Sequence, residues 1–254
     1  MGEPTQPATA SGIRIDSLST QPDFEQAVEL QKQIWGFADI ELLPVRLFVV
    51  AKKVGGQAFG AWAGDRMIGF CLAIPGLKPE GKTYLHSHML GVLPEFRDSG
   101  VGRMLKFRQR EEALARSIDL IEWTFDPLET KNAYFNMERL GAIVRRYVRN
   151  QYGTTSSHLH GGLPTDRCTA EWWIASERVK AVVAGKPDPN RPPVEARIEI
   201  PLAIATLRTE DPKRAREIQR EISEQFLALF DRGLAVIGVT KSCQAGVYLL
   251  GRLP

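Results

Sequence analysis

One stretch limits what this chain can fold into more than any other. An alternating run ends at Leu90-Gly91-Val92, Leu93-Pro94 breaks it, and Arg97-Asp98-Ser99-Gly100-Val101-Gly102-Arg103 leads into a helical pattern through Ser117. A strand, a glycine turn of form R-x-x-G-x-G and a helix in that order build one kind of device. A helix start leaves backbone N–H groups unpaired and carries partial positive charge. A pyrophosphate accepts from several of them at once. Glycines at positions 100 and 102 clear side chains from the approach, and Arg97 and Arg103 add charge.

The surrounding pattern predicts an α/β protein. Ile13, Ile15 and Leu18 indicate a first strand, and Thr20 with Pro22 and Asp23 opens a helix carrying Phe24, Ala27, Val28, Ile34 and Trp35 at helical spacing. Pro44 starts a second helix. Gln57–Ala63 and Arg66–Ile74 form a hairpin across Gly64-Asp65, Pro75–Gly81 a loop and Tyr84–Val92 a strand. The helix after the turn places Met104, Phe107, Leu114 and Ile118 on one stripe. A strand over 120–125, a helix over 131–140 and a strand over 143–152 follow. Beyond Gly153 the chain reads as strands around Trp172-Trp173 and Glu195–Ile200. A long amphipathic helix after Asp211-Pro212 and a closing hairpin complete it.

With the flanking elements in place, the sequence resembles the GNAT acyltransferase superfamily. A second signature, Asn132-Ala133-Tyr134-Phe135-Asn136-Met137-Glu138-Arg139-Leu140-Gly141-Ala142, is similar to that family's N…A…Y-E-K-L-G-F helix. Val144–Gly153 reads V-R-R-Y-V-x-N-x-Y-G, and Gly162–Arg167 with Glu171–Trp173 reads G-L-P-x-D-R…E-W-W. Both are shared with a bacterial GNAT group whose members are assigned as acyltransferases, some resembling amino-acid succinyltransferases. The resemblance implies a mixed, mostly antiparallel sheet flanked by helices. The expected plan is a disordered tail over 1–12, an acyl-CoA-binding core over 13–153 and an α/β extension over 154–254, with a degenerate second GNAT-like half as an alternative for the extension.

The resemblance also implies the cofactor contacts. Leu90, Gly91 and Val92 would offer backbone groups to the pantetheine arm. Arg97, Asp98, Ser99, Gly100, Val101, Gly102 and Arg103 would hold the pyrophosphate, with Asn132 and Asn136 contributing from the later helix. The implied reaction moves an acetyl or succinyl group from acetyl-CoA or succinyl-CoA to the amine of a small molecule, an amino acid among the candidates. The alternative is an acyl-CoA-binding sensor without turnover.

The chain departs from the family where many members place a tyrosine acid, four residues before the glycine that ends the second signature. Met137 stands there, and a thioether donates no proton. Tyr152 or a water is the replacement candidate. A carboxylate base in some members falls at the position of His86. Strand alternation predicts His86, His88, Leu90 and Val92 on one face, which makes both histidines candidates for the base.

Other polar groups have plainer roles open to them. Asp126 and Glu129 are candidates for holding a cationic amine, and Arg167 for clamping a carboxylate. Arg139, Arg145, Arg146 and Arg149 read as a solvated basic surface, and Cys71 as a small buried hydrophobe. The His86/His88 and His158/His160 pairs lack a third ligand at metal-site spacing, so no metal is expected. A net charge of +3 over 254 residues is too mild for nucleic acid. Three scattered cysteines form no disulfide framework. Without a signal-like or membrane-length apolar run, the expected location is the cytoplasm, away from membranes.

Overall fold

The computed structural model describes residues 12–153 and 162–253. The expected tail, apart from Gly12, lies outside the described residues, as do His158 and His160. The chain divides into two compact units, Met1–Ile118 and Asp119–Pro254.

The first unit is a four-stranded antiparallel sheet in the order β1 (Ile13–Ser17), β2 (Gln57–Ala63), β3 (Arg66–Leu77), β4 (Thr83–Val92). Helix α1 (Gln21–Trp35) starts at a capping box. The Thr20 hydroxyl accepts from the Asp23 N–H, and the Asp23 carboxylate accepts from the Thr20 N–H at 2.9 Å. Gly36 closes the helix in the left-handed region at φ 65°. With α2 (Val45–Lys53), α1 covers one sheet face, where Phe70 meets the rings of Trp35 and Phe48 at 5.9 and 6.0 Å. Helix α3 (Val101–Ala115) covers the opposite face, with Arg108 stacked over Phe59 at 5.3 Å.

Two expectations fail here. The stripe Met104, Phe107, Leu114 and Ile118 is only partly covered. The buried face of α3 is instead Val101, Leu105, Lys106, Gln109 and Ala113. That face includes a lysine and a glutamine, so apolarity alone misplaces it. Pro75–Leu77 belongs to β3, paired with β4 from Pro75↔Leu85 to Leu77↔Thr83. The β2 ladder ends at Ala73, so proline there sits on an edge, where a missing N–H is tolerated.

In the second unit the strands run β5 (Leu120–Phe125), β7 (Arg167–Trp173), β6 (Ile143–Val148), β9 (Ala235–Lys241), β10 (Ala245–Gly251), β8 (Ala196–Pro201), and the pairings are antiparallel. The mixed α/β class with a mostly antiparallel sheet is therefore as the sequence implies. Strand β7 lies between β5 and β6, so the expected boundary after Gly153 falls inside this unit. Strand β6 stops at Val148, short of the expected Tyr152, because Asn150 turns the chain at φ 45°.

Helix α4 (Thr130–Tyr134) continues as a π-helical turn over Phe135–Arg139. Helices α5 (Glu177–Val183), α6 (Ile204–Glu210) and α7 (Pro212–Asp231) complete the unit, α6 being absent from the sequence reading. Asp211 caps α7 by accepting from the Arg214 N–H at 3.0 Å. Ala215, Ile218, Ile222 and Phe226 line its buried face, and Phe226 stacks with Tyr147 at 5.3 Å and meets Tyr248 edge-on at 5.0 Å. No described helix is long and apolar enough to cross a membrane.

Candidate active site

In the first unit the turn between β4 and α3 is built as its sequence demands. Leu93 N–H bonds Ile68 O at 2.9 Å, a 3-10 turn over Pro94–Phe96 follows, and Ser99 Oγ donates to Phe96 O at 2.6 Å. Asp98 at φ 60° and Gly100 at φ 93° both take left-handed backbone to swing the chain into the helix. Gly100 is the N-cap of α3 and supplies no side-chain cap. A Cβ built on Gly100 would meet no atom within 4 Å. The N–H groups of Val101, Gly102 and Arg103 lie in the first turn of α3, where a helix offers them no internal partner, and the space at the Gly100 Cβ position is open, which suits an anion.

The two arginines differ. Arg97 is exposed and folds back, Nε to Val92 O at 3.3 Å and Nη2 to Ile34 O at 3.5 Å, tying the end of β4 to the end of α1. Arg103 stacks its guanidinium 4.6 Å from the Phe107 ring centroid. Gly91 lets α1 lie close to the strand, since a Cβ there would come within 2.6 Å of the Trp35 ring and 2.8 Å of the tip of Ile34, and these would have to shift.

The expected common face of His86, His88, Leu90 and Val92 is not formed. The β3–β4 register runs Cys71↔Leu90 and Leu72↔Met89, then jumps to Ala73↔Ser87 and Ile74↔His86. The jump is a bulge with His88 as the extra residue. Leu90 and Val92 therefore share the α3 face with Ser87, whereas His86 shares the α1/α2 face with Met89 and Gly91. The two imidazoles remain neighbours, with ring centroids 5.9 Å apart. His86 is half-buried, and its pKa is pushed down to about 4 by desolvation first, then by the charges of His88, Lys106 and Lys78. That of His88 is lowered as well, through loss of hydration. Cys71 is fully buried, and burial pushes its thiol up to about 12, in keeping with a structural hydrophobe.

In the second unit Asn132 is exposed on α4, while Asn136 is 1 % exposed and its Oδ1 accepts from Trp123 Nε1 at 3.3 Å. Met137 is buried inside the π-helical turn, and Tyr134 carries Lys241 over its ring at 5.1 Å. The Tyr152 hydroxyl is 2.9 Å from Thr124 Oγ1 on β5, and Arg167 lies 5.4 Å from its ring centroid. Desolvation lowers the pKa of Arg167.

Asp126 and Glu129, the candidates for a cationic amine, are instead taken by Arg208 of α6, at 2.8 and 2.7 Å. The pairing is not legible in the sequence, because α6 lies about 80 residues further along the chain from these carboxylates. The basic run is likewise not merely solvated. Arg145 pairs with the buried Glu171, Arg146 pairs with the buried Glu122 at 2.5 Å, and Arg149 donates to Ser223 Oγ at 2.7 Å. Arg145 and Arg146 converge on these carboxylates because the β6–β7 ladder slips between Val144 and Arg146. Among the described residues no group of three or more His, Cys, Asp or Glu side chains is placed to hold a metal ion.

Neither a family profile nor a curated relative matches the sequence. Solved structures do. The ribosomal-protein-S18-alanine N-acetyltransferase of Escherichia coli aligns over 65% of this chain and 95% of its own, at 18% identity and a TM-score of 0.50. The protein yncA of Salmonella typhimurium, assigned as an acetyltransferase and solved with its cofactor acetyl-CoA, aligns over 65% and 96%, at 12% and 0.52. A protein of Desulfovibrio desulfuricans assigned to the GNAT family aligns over 64% and 99%, at 14% and 0.50. The fold is that of the GNAT acyl-CoA N-acyltransferases. About a third of the chain lies outside each of these alignments.

Proposed function

We propose that the chain is a GNAT-type N-acyltransferase, moving an acetyl or succinyl group from acyl-CoA to the amine of a small molecule by direct attack. The observation that carries the reading is the β4–turn–α3 unit, with its glycine N-cap, its clear approach and its flanking arginines. The backbone N–H groups of 101–103 hold the pyrophosphate, and peptide groups at 90–92 bond the pantetheine arm and polarise the thioester carbonyl. Asn132, a cofactor contact only by the family resemblance, is exposed on α4. Asn136 suits a supporting role, since its amide is buried against Trp123.

His86 is neutral at physiological pH, as a base must be before it accepts a proton. With a pKa near 4 it stores that proton poorly, so its role is to relay the amine's proton to solvent water, the exposed His88 lying beside it. Tyr152, proposed from the sequence as the acid, has its hydroxyl 2.9 Å from Thr124 Oγ1.

A second reading, an acyl-CoA sensor without turnover, is favoured by the buried Met137 in place of an acid. Release of free thiol from acetyl-CoA and succinyl-CoA, followed across a panel of amines, separates the two. Amine-dependent release lost in His86→Asn/His88→Asn supports the enzyme. Tight acyl-CoA binding without release on any amine supports the sensor.

A further inference from the structure

Lys106 is 2 % exposed, on the core face of α3, and it has no part in the reaction as described so far. Burying an ammonium group is costly, and a methionine would fill the same space without that cost. The lysine Nζ donates to Ser87 Oγ at 2.7 Å, Ser87 Oγ donates to Gln109 Oε1 at 3.0 Å, and Gln57 Nε2 donates to Gln109 O at 3.0 Å. Ser87, Gln109 and Gln57 are themselves buried.

The location of this chain of bonds gives it meaning. Ser87 is the last residue of β4 in register before the bulge at His88, and Lys106 is less than two turns along the helix that begins at Gly100. The lysine thus joins the helix bearing the phosphate turn to the irregular point of the strand.

We propose that Lys106 is a positioning residue of the acyl-transfer site, which through Ser87 holds the β4 bulge in the shape that presents the peptide groups of 88–92 to the acyl-CoA arm. The inference rests on the acyl-CoA reading above. A bulge has one residue too many for its ladder and needs a fixed flank to keep one geometry. Leu90 and Val92 share the α3 face with Ser87, so a shift at Ser87 is passed along the strand to them.

Several groups surround the lysine. Cys71 faces it from β3, and Ser87 from β4, with His86 feeling its charge through the strand. Gln57 of β2 completes the chain of bonds, and Glu112 of α3 acts on Cys71. Arg14 and Asp16 on β1 pair with each other at the surface. Burial pushes the Lys106 ammonium down to about 7.

The test uses the full chain with Lys106→Met and, as a second variant that keeps the lysine, Ser87→Ala. Two ligands are titrated, acetyl-CoA and 3′,5′-adenosine diphosphate, which has the phosphates but no pantetheine arm. The expected result is that both folded variants lose about tenfold in acetyl-CoA affinity. They should keep wild-type affinity for the diphosphate, and in Lys106→Met the NMR titration midpoint of His86 should move up. Folded variants that bind both ligands as wild type does, or lose both equally, overturn the proposal. A wild-type chain that binds the diphosphate but not acetyl-CoA overturns the acyl-CoA reading beneath it. If Lys106→Met does not fold, Ser87→Ala decides by the same comparison.

Discussion

Two titrating side chains on neighbouring elements make stability rise with pH, each in its own window. Lys106 is held near 7 in the fold and returns to its ordinary value near 10.5 on unfolding. Between those values the unfolded chain binds the extra proton, so stability rises with pH, by up to about 1.4 kcal/mol per unit. Chemical denaturation of wild type against Lys106→Met across pH 7–10 should show a slope in the first that is missing from the second. His86 is depressed as well, from 6.5 to about 4. Its contribution is fully present above 6.5 and is lost as pH falls toward 4. A His86→Asn variant should therefore resist mild acid better than wild type, as read by the unfolding midpoint at pH 5.

At this scale the sequence was informative where chemistry is carried by backbone and glycine, at 97–103, because few side chains can serve there. It was silent on Lys106 and Arg208. A charged residue gives no sign in the sequence that it will be buried, and its partner arrives from an element far along the chain.

Among the elements, β4 shows what periodicity can and cannot reveal. Its span was legible, but its faces were not. Alternation puts His86 and Leu90 together, and a single extra residue at His88 puts them on opposite faces. The same holds for α3, whose apolar stripe was visible and whose buried stripe was another one. The glycine of β4 is a sharper prediction. Gly91→Ala drives a methyl into Trp35 and Ile34, so it should destabilise the first unit by roughly 1–3 kcal/mol and push the end of α1 away from the strand. A lowered melting temperature with a changed Trp35 fluorescence would bear this out. An unchanged melt would mean that α1 yields without cost. The π-helical turn at 135–139 was not visible either, since its residues are ordinary helix formers and only the extra residue in the turn sets it apart.

For the whole molecule, the order of strands decides where the chain can be cut. The resemblance suggested a core that ends at Gly153. Yet β7, from Arg167 to Trp173, supplies the ladder between β5 and β6, with Phe125↔Cys168 on one side and Tyr147↔Cys168 on the other. A chain ending at residue 153 leaves both neighbours with open edges, and it should lose cooperative unfolding and aggregate, as measured by circular dichroism and light scattering. Independent folding of that fragment would support a core that ends at Gly153. The strands of the C-terminal segment were legible as strands. Their place in the sheet was not, because sequence order does not tell which strand inserts between two others.

The central claim, that the turn at 97–103 holds an acyl-CoA, is tested most directly by thermal unfolding of the full chain with CoA, acetyl-CoA, succinyl-CoA and NADH. A CoA species at ~100 times its dissociation constant should stabilise the fold by roughly 2.7 kcal/mol, while NADH leaves the midpoint unmoved. If no CoA species shifts the midpoint at saturating concentration, or NADH shifts it equally, the turn does not recognise coenzyme A and the functional reading fails with it.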